Sequence, residues 1–420
     1  MNIPAWLTAS ASCLGTIESP LRSVPLAERE IREALDRPVW PDGGAATVFE
    51  VVRPGESVCL VIADYTRKTA ADRVLPALLS GFSARGCDPG DMFFLVASGI
   101  HRRTTEAETE RIVGPAVYRK FRGRIFHHDP DDTGGLVTVG VTKRGHPVAV
   151  NRRAIEAGRR ILLGAASYHY HAGFGGGRKL LVPGLASRAT IAYNHSLTLD
   201  PEADRVHPMA TPGILDGNPV AEEMLECARL CRPDISINTV LDAEGELIGL
   251  FSGELDAAHR AACRLVEKVA RVDIRERADL VVASDAGAPN WIQAHKALFN
   301  AHRAAKAETG QIVLVAPCPD GLGDERFRYW VKKADATEIC RELRLSPEVY
   351  GQTALSTHIR GRRAILVTQL APRDIADLGL RSAPDLEAAL RLALASLPAG
   401  RKPTYYLMPR AAQTLPFVVP

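Results

Sequence analysis

Residues 57–67 read SVCLVIADYTR. A short apolar run with no polar alternation is the pattern of a strand buried on both faces. Here it covers 57–63 and ends in Asp64-Tyr65-Thr66-Arg67; a helical spacing of apolar positions over 69–85 follows. The same handover recurs outward from this unit. The sequence predicts a strand at 92–98, a charged helical segment at 105–112, and strands at 124–128 and 161–165. Runs at 136–141 and 147–150 flank Lys143-Arg144-Gly145 as a hairpin. Residues 186–197 have helical character.

The alternation resumes in the second half. Leu255, Ala258, Ala262, Leu265 and Val269 form one helical stripe. Then come strand 278–284, helix 290–308, strand 311–317, helix 325–344 and strand 364–368. A last helix opens near Ser382, with Pro384 and Asp385 in its first turn, and runs to 396. Strand 404–408 closes the series. The reading is α/β: two α/β domains with mostly parallel sheets flanked by helices. A polar break at 273–278 divides residues 1–272 from 273–420.

Composition excludes several classes. The 420 residues are 46% hydrophobic and 24% charged, which rules out a disordered chain, a collagen-like fibre and a coiled-coil rod. A net charge of +3 gives no case for nucleic acid or a membrane surface. The eight cysteines have no framework spacing and read as reduced core thiols. Cys227 and Cys231 share a helix face with no second pair, which favours packing over zinc. No apolar run approaches a membrane span, and the N-terminus lacks a basic start and a long apolar stretch. The expectation is a cytoplasmic protein without a membrane or nucleic-acid partner.

In open α/β sheets ligands sit beyond the carboxyl ends of strands, so residues just after each strand matter most. These are Asp64-Tyr65-Thr66-Arg67, Ser98-Gly99-Ile100-His101-Arg102, and Tyr168-His169-Tyr170-His171 leading into Ala172-Gly173-Phe174-Gly175-Gly176-Gly177-Arg178-Lys179. Asn194-His195 lies nearby, and seven of the twelve histidines fall between His101 and His195. The glycine run reads equally as a tight loop or an anion site. It is neither a Walker A loop, since Leu180 follows Lys179, nor a dinucleotide fingerprint, since 180–183 reads extended. Gln293 and Lys296 are three apart on a helix and share a face. Singly, each of these histidines is as readily a surface or core residue.

Together the segments resemble the lactate racemase family that uses a nickel-pincer nucleotide. The family's Asp-His-Thr-Arg is similar to Asp64-Tyr65-Thr66-Arg67, and its Gly-Thr-His-Arg to Gly99-Ile100-His101-Arg102. Its His-x-x-Ala-Gly-Phe-Ser-Gly-Gly-x-Lys is similar to His169 through Lys179. Its Asn-His matches Asn194-His195, and its Gln-x-x-Lys helix matches Gln293 and Lys296. The resemblance runs from about Asp64 to the C-terminal strand.

The resemblance implies an isomerase, a racemase or epimerase of a 2-hydroxy acid, with its active site in the cleft between two domains. It implies a nickel-pincer nucleotide, a pyridinium-3,5-bisthiocarboxylic acid mononucleotide carrying nickel. Lys179 would join one thio group as a thioamide, and His195 would be the fourth nickel ligand, so both belong to the metal centre. Asp64, Thr66, Arg67, Gly173, Gly176 and Gly177 would line the cofactor. Hydride leaves substrate Cα reversibly, while His101 and His169 act as acid and base for the two faces. Arg67, Gln293 and Lys296 would hold the carboxylate. Implied partners are the small-molecule hydroxy acid and the proteins that make the cofactor: a carboxylase/hydrolase, a sulfur transferase and a nickel insertase. A homo-oligomer stays open.

Three positions depart from the pattern. Tyr65 replaces a His, Lys68 stands where Pro is common, and Ile292 stands where Tyr is common. They leave open a larger substrate, such as a longer sugar-derived hydroxy acid. A catalytically inactive binding or sensing paralogue is the alternative of another class, and retention of His101, His169, Lys179 and His195 argues against it.

Overall fold

A computed structural model describes residues 3–21, 23–41 and 43–419. The chain forms two compact units. One comprises residues 23–198 and 208–267; the other comprises 1–22, 199–207 and 268–420. The division is therefore discontinuous. A split at 272/273 leaves out that the N-terminal residues and a nine-residue excursion cluster with the C-terminal part.

The first unit holds a six-stranded sheet in the order Leu247–Gly253, Ile235–Leu241, Arg159–Ala166, Val58–Ala63, Met92–Ala97, Ile125–His127. All neighbours are parallel except the edge pair 235–241 and 247–253. All six residues of Val58–Ala63 are buried, as expected of a central strand with helices on both faces. Successive strands step one way from Val58–Ala63 to Ile125–His127. The chain then crosses to the other side of Val58–Ala63 with Arg159–Ala166. The crevice at that reversal is where open α/β sheets take ligands. Helix Ala71–Ala84 buries Val74, Leu75, Leu78 and Phe82 against the sheet. The hairpin Leu136–Val141 with Pro147–Asn151 forms as a separate two-stranded sheet.

The second unit holds a fully parallel sheet, Ser12–Thr16, Thr404–Met408, Leu280–Ser284, Gln311–Val315, Ala364–Val367, Arg381–Ala383. Leu280, Val282, Val313 and Ile365 pack with Leu390 and Ala393 of helix Leu386–Ala395. The expected helix 325–344 is two helices, Glu325–Val331 and Ala336–Leu345. Asp335 accepts from Glu338 N at 2.9 Å and so starts the second one. Residues 381–383 are an edge strand, and the last helix starts after Asp385 caps it. No helix among the described residues is long and apolar enough to cross a membrane.

Candidate active site

Asp64 follows the central strand and is buried. Its Oδ1 accepts from Thr66 N at 3.1 Å and from Thr66 Oγ1 at 2.6 Å. Its Oδ2 accepts from His101 Nδ1 at 2.7 Å. Burial pushes the Asp64 carboxyl up, but His101, Thr66 and Arg67 together outweigh it and hold it below its usual range. The adjacent strand end delivers His101 because Gly99, at φ +53°, turns the chain there. Gly99 N also donates to Gly184 O at 2.9 Å, tying this turn to the loop just after Lys179. The His101 side chain keeps 34% exposure, enough to meet a small molecule.

His169 comes from the strand on the other side of the crevice. Residues Tyr168–His169 and Gly173–Phe174 make a small antiparallel pair. Within that turn His169 Nδ1 accepts from Ala172 N at 3.0 Å and from His171 N at 3.3 Å.

The glycine run is packed, not open. Gly173 has φ +72°, and a Cβ there would lie 2.1 Å from Ile214 O; at Gly176 it would lie 2.9 Å from Ala165 O. These glycines let backbone press against backbone. Residues 180–183 are not extended. Gly177–Leu180 is a 3-10 turn, and Leu181 N and Val182 N both return to Arg178 O. A clamp that the sequence gives no sign of holds the run in place. Arg178 Nη2 donates to His259 Nδ1 at 3.0 Å, and His259 Nε2 donates to Gly175 O at 2.7 Å. His259 lies on helix Leu255–Ala270, more than 80 residues away, with no local spacing to mark it. Burial, then the Arg178 charge, pulls its pKa to about 3.

This packing sets Lys179. Its Nζ lies 4.0 Å from Met224 Sδ. Burial, then the charges of Arg67 and Arg178, lowers its pKa to about 7. Its charge in turn acts on His195, on helix Arg188–Ser196. Burial first, then Lys179, takes His195 down to about 4. His195 Nδ1 donates to Ile191 O at 2.9 Å, so Nε2 carries the lone pair of the neutral ring. That is the arrangement of a metal-binding imidazole steered by a backbone carbonyl.

Arg67 is exposed beside this group. Tyr65 lies under Arg102, whose Cζ is 3.7 Å from the ring centroid, while Glu108 takes the Arg102 fork at 2.8 and 2.6 Å. Gln293 and Lys296 lie in the other unit, on helix Trp291–Ala304; they share a face, and Lys296 Nζ donates to Gln293 Oε1 at 2.6 Å.

Residues 9–206 match the lactate racemase N-terminal domain family, and 274–404 the lactate racemase C-terminal domain family. The lactate racemase of Lactiplantibacillus plantarum is 31% identical over 315 residues, covering 74% of this chain and 71% of the relative. The chain belongs to the lactate racemase family. The lactate racemase of Thermoanaerobacterium thermosaccharolyticum is 27% identical over 382 residues, 88% of this chain and 86% of the relative. The structure of that organism's lactate racemase apoprotein superposes with a TM-score of 0.85 at 25% identity, covering 99% of this chain and 97% of that one. A Thermotoga maritima protein shares the fold, with a TM-score of 0.69 at 18% identity.

The family makes the chain an isomerase of the racemase type, and it implies nickel. Among the described residues no three His, Cys, Asp or Glu side chains gather so as to hold a metal ion. The donor set fits a nickel centre of another kind: one neutral imidazole, His195, next to an amine, Lys179, that can carry an organic group bringing its own donors.

Proposed function

We propose that this lactate racemase family member interconverts the two configurations of a 2-hydroxy acid, with a nickel-pincer nucleotide anchored on Lys179 and bound through His195. The observation that supports this best is the Lys179 environment. A half-buried lysine whose amine is held near 7 is unprotonated often enough to form an amide-type bond at neutral pH. The imidazole beside it is steered by Ile191 through Nδ1, which puts the lone pair of the neutral ring on Nε2.

When bound, the nucleotide supplies a reversible hydride acceptor for substrate Cα. The chain supplies the rest. His101 and His169 take and return the hydroxyl proton on the two faces of the substrate. Asp64 and Thr66 orient His101 and, with Arg67 and the backbone at Gly173, Gly176 and Gly177, line the nucleotide. Arg67, Gln293 and Lys296 are the donors proposed for the substrate carboxylate. The hydroxy acid and the three cofactor-making proteins are the partners this reading requires.

A longer hydroxy acid is the second reading. Tyr65, where the family has a His, presents a ring braced by Arg102 and follows directly on Asp64, the partner of His101.

The test is co-expression with the cofactor-making enzymes, followed by nickel analysis and intact mass. Nickel, with added mass on the peptide containing Lys179, is expected; single enantiomers of short, aryl, dicarboxylic and polyhydroxy acids then identify the substrate. No nickel and no adduct, in cells that load an L. plantarum lactate racemase control, would refute the reading and favour a binding protein.

A further inference from the structure

The two proposed acid/base histidines are held by opposite kinds of partner. His101 presents Nδ1 to a carboxylate oxygen at 2.7 Å. That carboxylate already accepts two hydrogen bonds from Thr66 on its other oxygen, so its remaining acceptor is aimed at the ring. A carboxylate has no proton to give, so Nδ1 of His101 must be the donor and the neutral ring has its lone pair on Nε2. His169 presents Nδ1 to two backbone N–H groups, Ala172 N at 3.0 Å and His171 N at 3.3 Å. Amide N–H groups can only donate, so Nδ1 of His169 must accept and the neutral ring carries its proton on Nε2.

We infer that the two histidines rest in opposite tautomers, so that His101 is the ready base and His169 enters proton transfer only when the 169–172 turn releases its Nδ1. This rests on the proposed function for its meaning and on the hydrogen bonds alone for its content. When a substrate hydroxyl meets His101, its O–H bond breaks and an Nε2–H bond forms. Asp64 keeps the Nδ1–H of the resulting imidazolium, and the nucleotide, when bound, would supply the acceptor for the hydride leaving Cα. When a hydroxyl meets His169, Nε2 already bears hydrogen. The ring can hydrogen-bond to the substrate oxygen as a donor, but it accepts a proton at Nε2 only after its own proton has moved to Nδ1, which requires the two amides to leave. The enzyme is thus asymmetric between enantiomers in kcat and in KM. The ratios kcat/KM for the two directions stay tied to the equilibrium constant.

The test reads the rings of the cofactor-free chain, so it stands whether or not nickel loading succeeds. Long-range ¹H–¹⁵N spectra of histidine-labelled protein at about pH 9, well above the ordinary imidazole value near 6.5, report the tautomer of each ring. Expected is pyridine-type Nε2 at His101 and pyridine-type Nδ1 at His169, each assigned by its His→Gln variant. In Asp64→Asn, whose amide can donate, the His101 pattern should move toward the other tautomer while that of His169 stays. Two rings of the same tautomer, or an Asp64→Asn spectrum unchanged at His101, would overturn the inference. In the loaded enzyme, equal kcat for both enantiomers would overturn its kinetic half.

Discussion

Lys179 shows how a single residue's chemistry is made by its surroundings. An ordinary lysine is almost wholly charged at pH 7, and a charged amine does not acylate. Burial, with Arg67 and Arg178 on the same side of the balance, brings this one to about 7. In the cofactor-free chain its acylation rate should therefore rise through pH 7 and level off, while exposed lysines still gain rate toward pH 10. Competitive labelling followed by peptide mass spectrometry checks this, and a rate that tracks the exposed lysines would contradict the burial argument. Replacing His101 by Ala should lower racemisation by about 10²–10⁴-fold, the usual worth of a positioned acid or base. An unchanged rate would remove His101 from the chemistry. The position of these residues beyond strand ends was legible in the sequence, while the roles proposed for them came from the family resemblance. The pairing of Arg178 with His259 was not legible. Nothing in the local sequence marks Arg178 as a partner of a distant ring, and a histidine at 259 gives no local sign that it caps the Gly175 carbonyl.

At the scale of elements, the strand–helix alternation was readable wherever burial was continuous, as in Val58–Ala63 and Leu280–Ser284. It failed where pairing is distant or a cap intervenes. Ser12–Thr16 is a strand because it pairs with Thr404–Met408, a partner nearly 400 residues on. Helix 325–344 looked continuous because its apolar spacing carries across the Asp335 cap. Helix Pro219–Leu230 connects directly to the site. Its cap, Asn218, accepts from Val220 N and Ala221 N and donates from Nδ2 to His171 O at 2.8 Å and Ile214 O at 3.0 Å. One buried amide thus starts the helix and fixes the turn that holds His169. Asn218→Ala should cost about 1–3 kcal/mol in urea unfolding, from the lost cap and the carbonyls left unpaired. It should also loosen 169–172 in hydrogen exchange. Destabilisation without increased exchange there would mean that Asn218 serves the helix alone.

At the scale of the whole molecule, buried histidines decide how the cofactor-free chain meets acid. Burial is the first cause that lowers His195, His259, His295 and His302, to about 4, 3, 3 and 4. Between those values and the unfolded value near 6.5, the unfolded chain binds protons that the folded chain does not. Stability must then fall as pH falls from 6.5 toward 4, above the range where carboxylates protonate. Each fully coupled ring contributes a slope of about 1.4 kcal/mol per pH unit. Lys179 acts with the same sign at higher pH. Its folded value near 7 lies below the unfolded 10.5, so it adds a rising limb between pH 7 and about 8.5; beyond that the thiols of Cys227, Cys231, Cys263 and Cys318, pushed up to about 12 by burial, bring stability down again. Urea midpoints across pH 4–10 measure both limbs. His302 gives the internal control, because its Nε2 accepts from Arg363 Nη2 at 3.1 Å and a glutamine can replace that acceptor without titrating. His302→Gln should reduce the acid limb by about one proton and leave the limb above pH 7 as it was. An acid limb equally steep in this variant would mean that His302 takes up its proton within the folded state, and that the remaining buried rings carry the dependence.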